Sequence, residues 1–406
     1  MTSYKNSEPK PPIMQGTPVP PEWRITHQNW DSPPWNRWSF QNVRQILPTA
    51  PVHAARNAPA ELESDPKELA DVTFTAWDGS DMSVEKMLDE TYTDGFVVVV
   101  DGKIVVERYF NAMTPQTLHL AQSVSKSVVS TVAGILIGRG LMDPTKPISD
   151  YLPELKNTGW NGALLQHVLD MTSGVKFGEQ YTAPDSDIAK TDIAAGWKPM
   201  RADTADWPTC IWDQITGLKE TDAAHGARFE YRSIETDVLA HALERVTGTR
   251  LAELVSRELW SKIGAEEDAC FTVDSAGYAL ADGGFNATLR DFARFGLMHL
   301  NNGKVGDEQI VPADWIADIR RGPHGLFNDT SRELLPNGQY RNQFWVEDAS
   351  RQTVMCVGVF GQLIYIAPEY NMVAVKLSTW PDFLSNEFKS NTLRGLHAIA
   401  AALGKS

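Results

Sequence analysis

Three cysteines, Cys210, Cys270 and Cys356, are all that 406 residues contain. Their odd number and wide separation exclude a disulfide framework or a zinc ribbon, and a reducing, cytoplasmic setting fits. Basic charge is also in short supply. Lysine and arginine number 37 against 52 acidic residues, a net charge of −15. That balance argues against nucleic acid or an anionic membrane as partner and favours cationic or amine-bearing ligands. Long hydrophobic runs are missing too: the most apolar window, Val128 to Ile137, is broken by Ser130, Thr131 and Gly134 and falls short of the ~20 residues of a membrane span. The N-terminal stretch has no apolar segment after its lysines, so no secretory signal is expected. The G-x-S-x-G elbow, H-E-x-x-H, the P-loop and the dinucleotide glycine fingerprint are absent, and nine histidines lie scattered without ligand spacing. The expectation is a chain with no cofactor and no metal.

Hydrophobic residues at 42% and charged residues at 22% describe a globular protein. Residues 1–50 are proline-rich yet carry Trp23, Trp30, Trp35 and Trp38; a disordered tail would be poor in aromatics, so this is read as an irregular arm packed on the body. Gly95–Phe110 reads as two strands joined at Asp101-Gly102, a strong hairpin signal. Ser123–Arg139 reads as a helix that is apolar almost all round, hence buried, and stops at Gly140. From 141 to 340 the signals are helical and loop-like, with a long connection at 177–225. Strands return at 341–380, and 386–403 closes the chain as a helix. Strands at both ends with helices between predict an α/β (α+β) fold: one sheet from segments 51–122 and 341–406, and a mainly helical part at 123–340.

The chemistry narrows to Ser-x-x-Lys, whose serine and lysine share one helix face. Two copies occur. Ser83-Val-Glu-Lys86 lies in a charged stretch and reads as a helix start. Ser123-Val-Ser-Lys126 opens the buried helix, where desolvation lowers a lysine pKa and the helix N-terminus stabilises an oxyanion. Only this copy suits a nucleophile, with helix capping by Ser123 as the bland alternative. Gly226-Ala-Arg-Phe-Glu-Tyr231-Arg-Ser233 precedes a helix. Gly358-Val-Phe-Gly361-Gln362 sits in a strand, where glycines mark a bulge or the close approach of another backbone.

These three in order, with Leu169-Asp-Met-Thr-Ser-Gly174 between the first and second, resemble the serine β-lactamase and penicillin-binding-protein fold, in its class C-like esterase and amidase branch. Within that branch the sequence is similar to the 6-aminohexanoate-dimer (nylon-oligomer) hydrolases: Trp35-Asn-Arg-Trp38, Ser123-Val-Ser-Lys126, Tyr181, Ala195-Gly-Trp197, Tyr231-Arg-Ser233-Ile-Glu-Thr-Asp237, Gly283-Gly284, Gly361-Gln362 and Leu377-Ser-Thr-Trp-Pro-Asp382 carry the likeness. The resemblance implies Ser123 as nucleophile, Lys126 as its general base and Tyr231 as proton relay to the leaving group. It implies the amides of Ser123 and Val359 as oxyanion hole, Tyr181 as donor to the scissile nitrogen, and Trp197 as cover for an aliphatic substrate. It sets Asp192 near the substrate's amino end, with Asp282 and Phe360 as further substrate contacts.

Three departures bear on specificity. The second motif is Tyr231-Arg-Ser233 where β-lactamases of this class have Tyr-x-Asn. The third has Phe360-Gly361 and no lysine, which leaves a β-lactam carboxylate without an ionic partner. Phe360 and Asp282 replace residues of the nylon-oligomer pattern. The expected substrate is a small linear amide or ester. Other readings are a general carboxylesterase, a D,D-peptidase and a non-catalytic ligand sensor; a homodimer is a compatible assembly.

Overall fold

The computed structural model describes residues 2–57, 59–321 and 325–403; Met1 of the arm and 404–406 of the last segment lie outside. The elements that frame the site are, in chain order, β1 (Thr49–Val52), α1 (Val84–Glu90), β2 (Thr93–Val100), β3 (Lys103–Tyr109), β4 (His119–Leu120), α2 (Val124–Gly138), α3 (Asp187–Ala194), α4 (Ile234–Thr247), β5 (Ala269–Thr272), β6 (Phe285–Ala287), α5 (Leu289–Leu300), β7 (Gln339–Arg341), β8 (Phe344–Asp348), β9 (Thr353–Gly358), β10 (Gln362–Ala367), β11 (Met372–Ser378) and α6 (Asn386–Leu403). Seven of the strands form one antiparallel sheet in the order β7-β8-β9-β10-β11-β2-β3. Both chain ends thus meet in it, through the pairing of Val373 with Val99 and Val375 with Val97. Asp101 and Gly102, at φ 50° and 77°, make the tight β2–β3 turn.

A second, four-stranded sheet runs β1-β5-β6-β4. Two of its strands lie in the stretch read as helical and loop-like. They escaped notice because three- and four-residue strands, buried at every position, show no period-two alternation. The run read as continuous strand around Gly358–Gln362 is instead the turn between β9 and β10, with Phe360 at φ 60°. The 177–225 connection also contains structure: Ser186 caps α3 by accepting from the Ala189 amide at 3.3 Å.

Helix α2 occupies the centre. Every residue from Val124 to Leu136 is buried, so its many β-branched residues, modest helix formers, are held by packing. Two of its hydroxyls are bonded outward: Ser127 Oγ donates to the Gln343 carbonyl at 2.8 Å and Ser130 Oγ to the Asn342 carbonyl at 2.6 Å. A Cβ at Gly134 would lie 2.5 Å from the Trp315 ring, so the helix takes no larger residue there.

The N-terminal arm is fastened by charge as well as by indoles. Trp30 is fully buried, while Trp23, Trp35 and Trp38 are half-buried. Arg37 reaches Asp94 of β2 at 2.7 Å with both side chains sealed from solvent. Asp94 also accepts from Thr379 Oγ1 at 2.8 Å and faces His119 Nε2 of β4 at 3.1 Å. One carboxylate therefore ties the arm, the large sheet and the small sheet together. Burial pushes its pKa up, but Arg37, and after it His119 and Thr379, outweigh burial and hold it below the ordinary carboxylate range. Its folded-state pKa being depressed, the stability it supplies is present at neutral pH and is lost as pH falls from about 3.9 through the native value. Asp94→Ala should cost about 3–5 kcal/mol in urea unfolding at neutral pH, because Arg37 is left buried and unpaired. A loss under about 1 kcal/mol would show that the pair does not anchor the arm.

Candidate active site

Ser123 stands at the N-cap of α2 but caps nothing: its side chain makes no hydrogen bond to the helix amides. Ser83 does cap α1, accepting from the Lys86 amide at 3.2 Å, so the two Ser-x-x-Lys copies separate as their surroundings predict. Gln122, just before Ser123, is held at φ 50°, a left-handed conformation that L residues adopt only when their surroundings impose it. One helical turn on, Lys126 donates to Ser123 Oγ at 2.9 Å and to the Asp282 carbonyl at 2.7 Å. Its ammonium also lies 5.2 Å from the centre of the Tyr231 ring and 4.0 Å from Asp282 Oδ2.

The lysine is 1% exposed. The sequence reading expected burial to depress its pKa. Burial does act that way, but Tyr231, Asp282 and Glu179 together outweigh it, and the net direction is up. The Tyr231 phenol is also raised, by burial first, against the pull of Lys126. At rest the site therefore holds an ammonium beside a neutral phenol.

The surrounding acids are placed by short backbone and hydroxyl contacts. Glu179, which sequence reasoning did not single out, accepts from Tyr181 Oη at 2.8 Å, from Ser233 Oγ at 2.5 Å and from the Ser233 amide at 3.0 Å. It thereby locks the Tyr181 segment to the start of α4. The one available signal was its place two residues before Tyr181. Asp237, on the buried face of α4, accepts from the Ala281 amide at 2.9 Å and the Asp282 amide at 3.3 Å. This fixes the carbonyl that receives Lys126. Burial, then Asp282, pushes Asp237 well above the usual carboxyl range, and burial raises Asp282 as well, opposed by Lys126.

Glycine makes the other wall. A Cβ on Gly358 would lie 2.6 Å from the Ala121 carbonyl oxygen, and one on Gly361 would lie 2.3 Å from the Trp380 indole. Only glycine lets the β9–β10 turn lie against the backbone leading to Ser123. Val359 reaches the same cavity wall as Ser123 in this way. Among the described residues neither the Ser123 nor the Val359 amide donates a hydrogen bond within the protein, which leaves both for a ligand oxygen. Phe360 is buried edge-on to Phe40 at 5.2 Å and against Phe383 at 4.8 Å.

Two cavities meet at Ser123. A narrow one, about 40 Å³, is lined by Asp192, Trp197, Asp282 and Phe360. Asp192 stands on helix α3, not on a loop, and burial first, then Asp31, raises its pKa well above the usual range, against Lys198. Trp197 is fixed there: its indole donates to Thr272 Oγ1 at 3.0 Å, and its carbonyl accepts from Trp30 Nε1 at 2.8 Å. The larger cavity, about 500 Å³ and mostly apolar, opens on the Tyr231 side. Tyr181, stacked on Phe383 at 5.4 Å, borders both. Among the described residues no group of His, Cys, Asp or Glu is disposed to hold a metal ion, and no helix is long and apolar enough to cross a membrane.

This geometry agrees with the kinship of the chain. Residues 84–399 match the beta-lactamase family. The sequence is 36% identical over 360 residues to a 6-aminohexanoate-dimer hydrolase of Paenarthrobacter ureafaciens, covering 88% of each chain. A solved structure from Bacillus anthracis, provisionally described as a 6-aminohexanoate-dimer hydrolase, superposes with a TM-score of 0.87 at 31% identity over 95% of this chain and 98% of its own. A family VIII carboxylesterase, at 15% identity and a TM-score of 0.55 over 75% of this chain and 92% of its own, shares the fold. The chain belongs to the beta-lactamase family and is a serine hydrolase of that fold, acting on amides or esters.

Proposed function

We propose that the chain cleaves small linear amides of the 6-aminohexanoate-dimer type, and carboxylic esters, through an acyl-enzyme on Ser123. The observation that carries this is the 2.9 Å contact between Lys126 Nζ and Ser123 Oγ at the point where both cavities meet. Ser123 Oγ attacks the carbonyl carbon as its proton passes to the Lys126–Tyr231 pair, once that pair has lost a proton. The carbonyl oxygen, now an oxyanion, takes hydrogen bonds from the Ser123 and Val359 amides. Tyr231 hands a proton to the departing nitrogen or oxygen, the C–N or C–O bond breaks, and the acyl group stays on Ser123. Water then repeats the sequence and releases the acid. Tyr181, whose hydroxyl donates to Glu179 and whose ring borders both cavities, is the further donor proposed for the scissile nitrogen.

Asp192 is the partner for an ammonium at the acyl end. Its carboxyl shares the narrow cavity with Asp282 and feels Asp31 and Glu179, so a bound cation relieves repulsion between like charges. The narrow cavity holds only about 40 Å³ and is bordered by the stacked Tyr181 and Phe383 rings. That narrowness favours the second reading, a general carboxylesterase acting on short acyl groups.

Ser123→Ala should abolish turnover of every substrate while unfolding at an unchanged temperature, and mass spectrometry of the wild type during turnover should find the acyl group on the Ser123 peptide. An adduct elsewhere overturns the assignment. Asp192→Asn should raise KM for an amine-ended amide about tenfold or more and leave a neutral short-chain ester nearly unchanged; equal effects on both select the carboxylesterase reading. The pH profile tests the base. With Lys126 raised by its acidic neighbours, kcat/KM should climb on the alkaline side as the pair deprotonates. Asp282→Asn removes one of those neighbours, lowers the Lys126 pKa and should move that limb to lower pH. A limb that stays in place, or moves upward, excludes Asp282 as a determinant of the base.

A further inference from the structure

Lys389 lies on the first turns of α6, at the wall of the larger cavity. Its ammonium stands 5.2 Å from the centre of the Trp345 ring, and Trp345 in turn stacks on Tyr231 at 5.7 Å. A single row therefore runs from Lys126 through Tyr231 and Trp345 to a second ammonium across the cavity. Among the described residues the Lys389 ammonium makes no hydrogen bond and no ion pair, and burial, the one cause acting on it, pushes its pKa down to about 8. The acids of the same cavity are engaged elsewhere or exposed. Glu179 is bonded to Tyr181 and Ser233, Glu230 is paired with Arg228 and Arg232, and Glu333 is exposed at the rim. A half-buried cation without a counter-ion, facing an apolar space lined by Leu335, Met355, Val357 and Leu393, is an unusual and unfavourable arrangement that the indole only partly relieves.

The two cavities also divide the substrate. Tyr231 lines the larger one and not the smaller; Asp192, Trp197 and Asp282 line the smaller and not the larger. Since Tyr231 protonates the departing atom, the leaving group extends into the larger cavity, and this step rests on the reading of Ser123 and Tyr231 given above. We propose that Lys389 forms the end of a leaving-group subsite that takes a carboxylate, so that the favoured substrates release an amine or alcohol whose far end is anionic. The apolar walls cover the methylenes between, and the carboxylate supplies the counter-ion that Lys389 lacks.

The test compares ratios within each protein, which cancels any general loss of activity. Wild type, Lys389→Met and Lys389→Arg are assayed with 6-aminohexanoyl amides of 6-aminohexanoate and of its neutral carboxamide, and with acetyl esters of 4-hydroxybenzoate and 4-hydroxybenzamide. The kcat/KM ratio of anionic to neutral member should fall about tenfold or more from wild type to Lys389→Met and be largely kept in Lys389→Arg. In parallel, hexanoate binding to Ser123→Ala, read by calorimetry, should weaken by a similar factor when Lys389→Met is added. Ratios and binding that do not change in Lys389→Met overturn the subsite. If esters are cleaved and amides are not, the amidase reading fails while the ester pair still decides on Lys389. If nothing is turned over, the hydrolase reading fails and hexanoate binding alone decides.

Discussion

A lysine ammonium sealed from solvent next to a serine hydroxyl is the constraint around which this molecule is arranged. Removing a cation from water costs several kcal/mol unless the fold returns partners of matching geometry, and here four separate segments converge to do so. Helix α2 supplies Ser123, the segment before β6 supplies the Asp282 carbonyl, the start of α4 supplies the Tyr231 ring, and the 177–225 stretch supplies Glu179. The four groups lie 51 or more residues apart in the chain, at positions 123, 179, 231 and 282. The apolar character of α2 forces it into the middle of the molecule, and once it is there the rest of the site must form around Lys126.

The same electrostatics sets the resting protonation state. The acidic groups Tyr231, Asp282 and Glu179 around Lys126 outweigh burial, so the lysine is protonated at rest. Asp237 holds the backbone at 281–282 in place, and Glu179 joins Tyr181 to Ser233. Acidic side chains thus crowd the narrow cavity, while Lys389, without an ion pair among the described residues, lines the wide one.

Arg37 and Asp94 show how far from the chemistry such a cleft needs support. Trp30 of the arm bonds the Trp197 carbonyl, and Arg37 anchors the arm to both sheets through Asp94. The aromatic arm is therefore part of the wall that shapes the narrow cavity, through Trp197, as well as a cover for the core.

Sequence alone separated the two Ser-x-x-Lys copies, because a continuous apolar pattern around one and a charged pattern around the other is a local property that burial follows directly. It also gave the β2–β3 hairpin, the α2 stop at Gly140 and the return of the C-terminal strands to the N-terminal sheet. The small second sheet stayed hidden because its strands are short and its two central ones, β5 and β6, are too uniformly buried to carry a period. The direction of the Lys126 pKa, the part played by Glu179 and the presence of Lys389 in the cleft were decided by the tertiary structure only. Each depends on side chains from distant parts of the chain meeting in space, and the energies involved are set by distance and by the local dielectric, neither of which is written in the order of the chain.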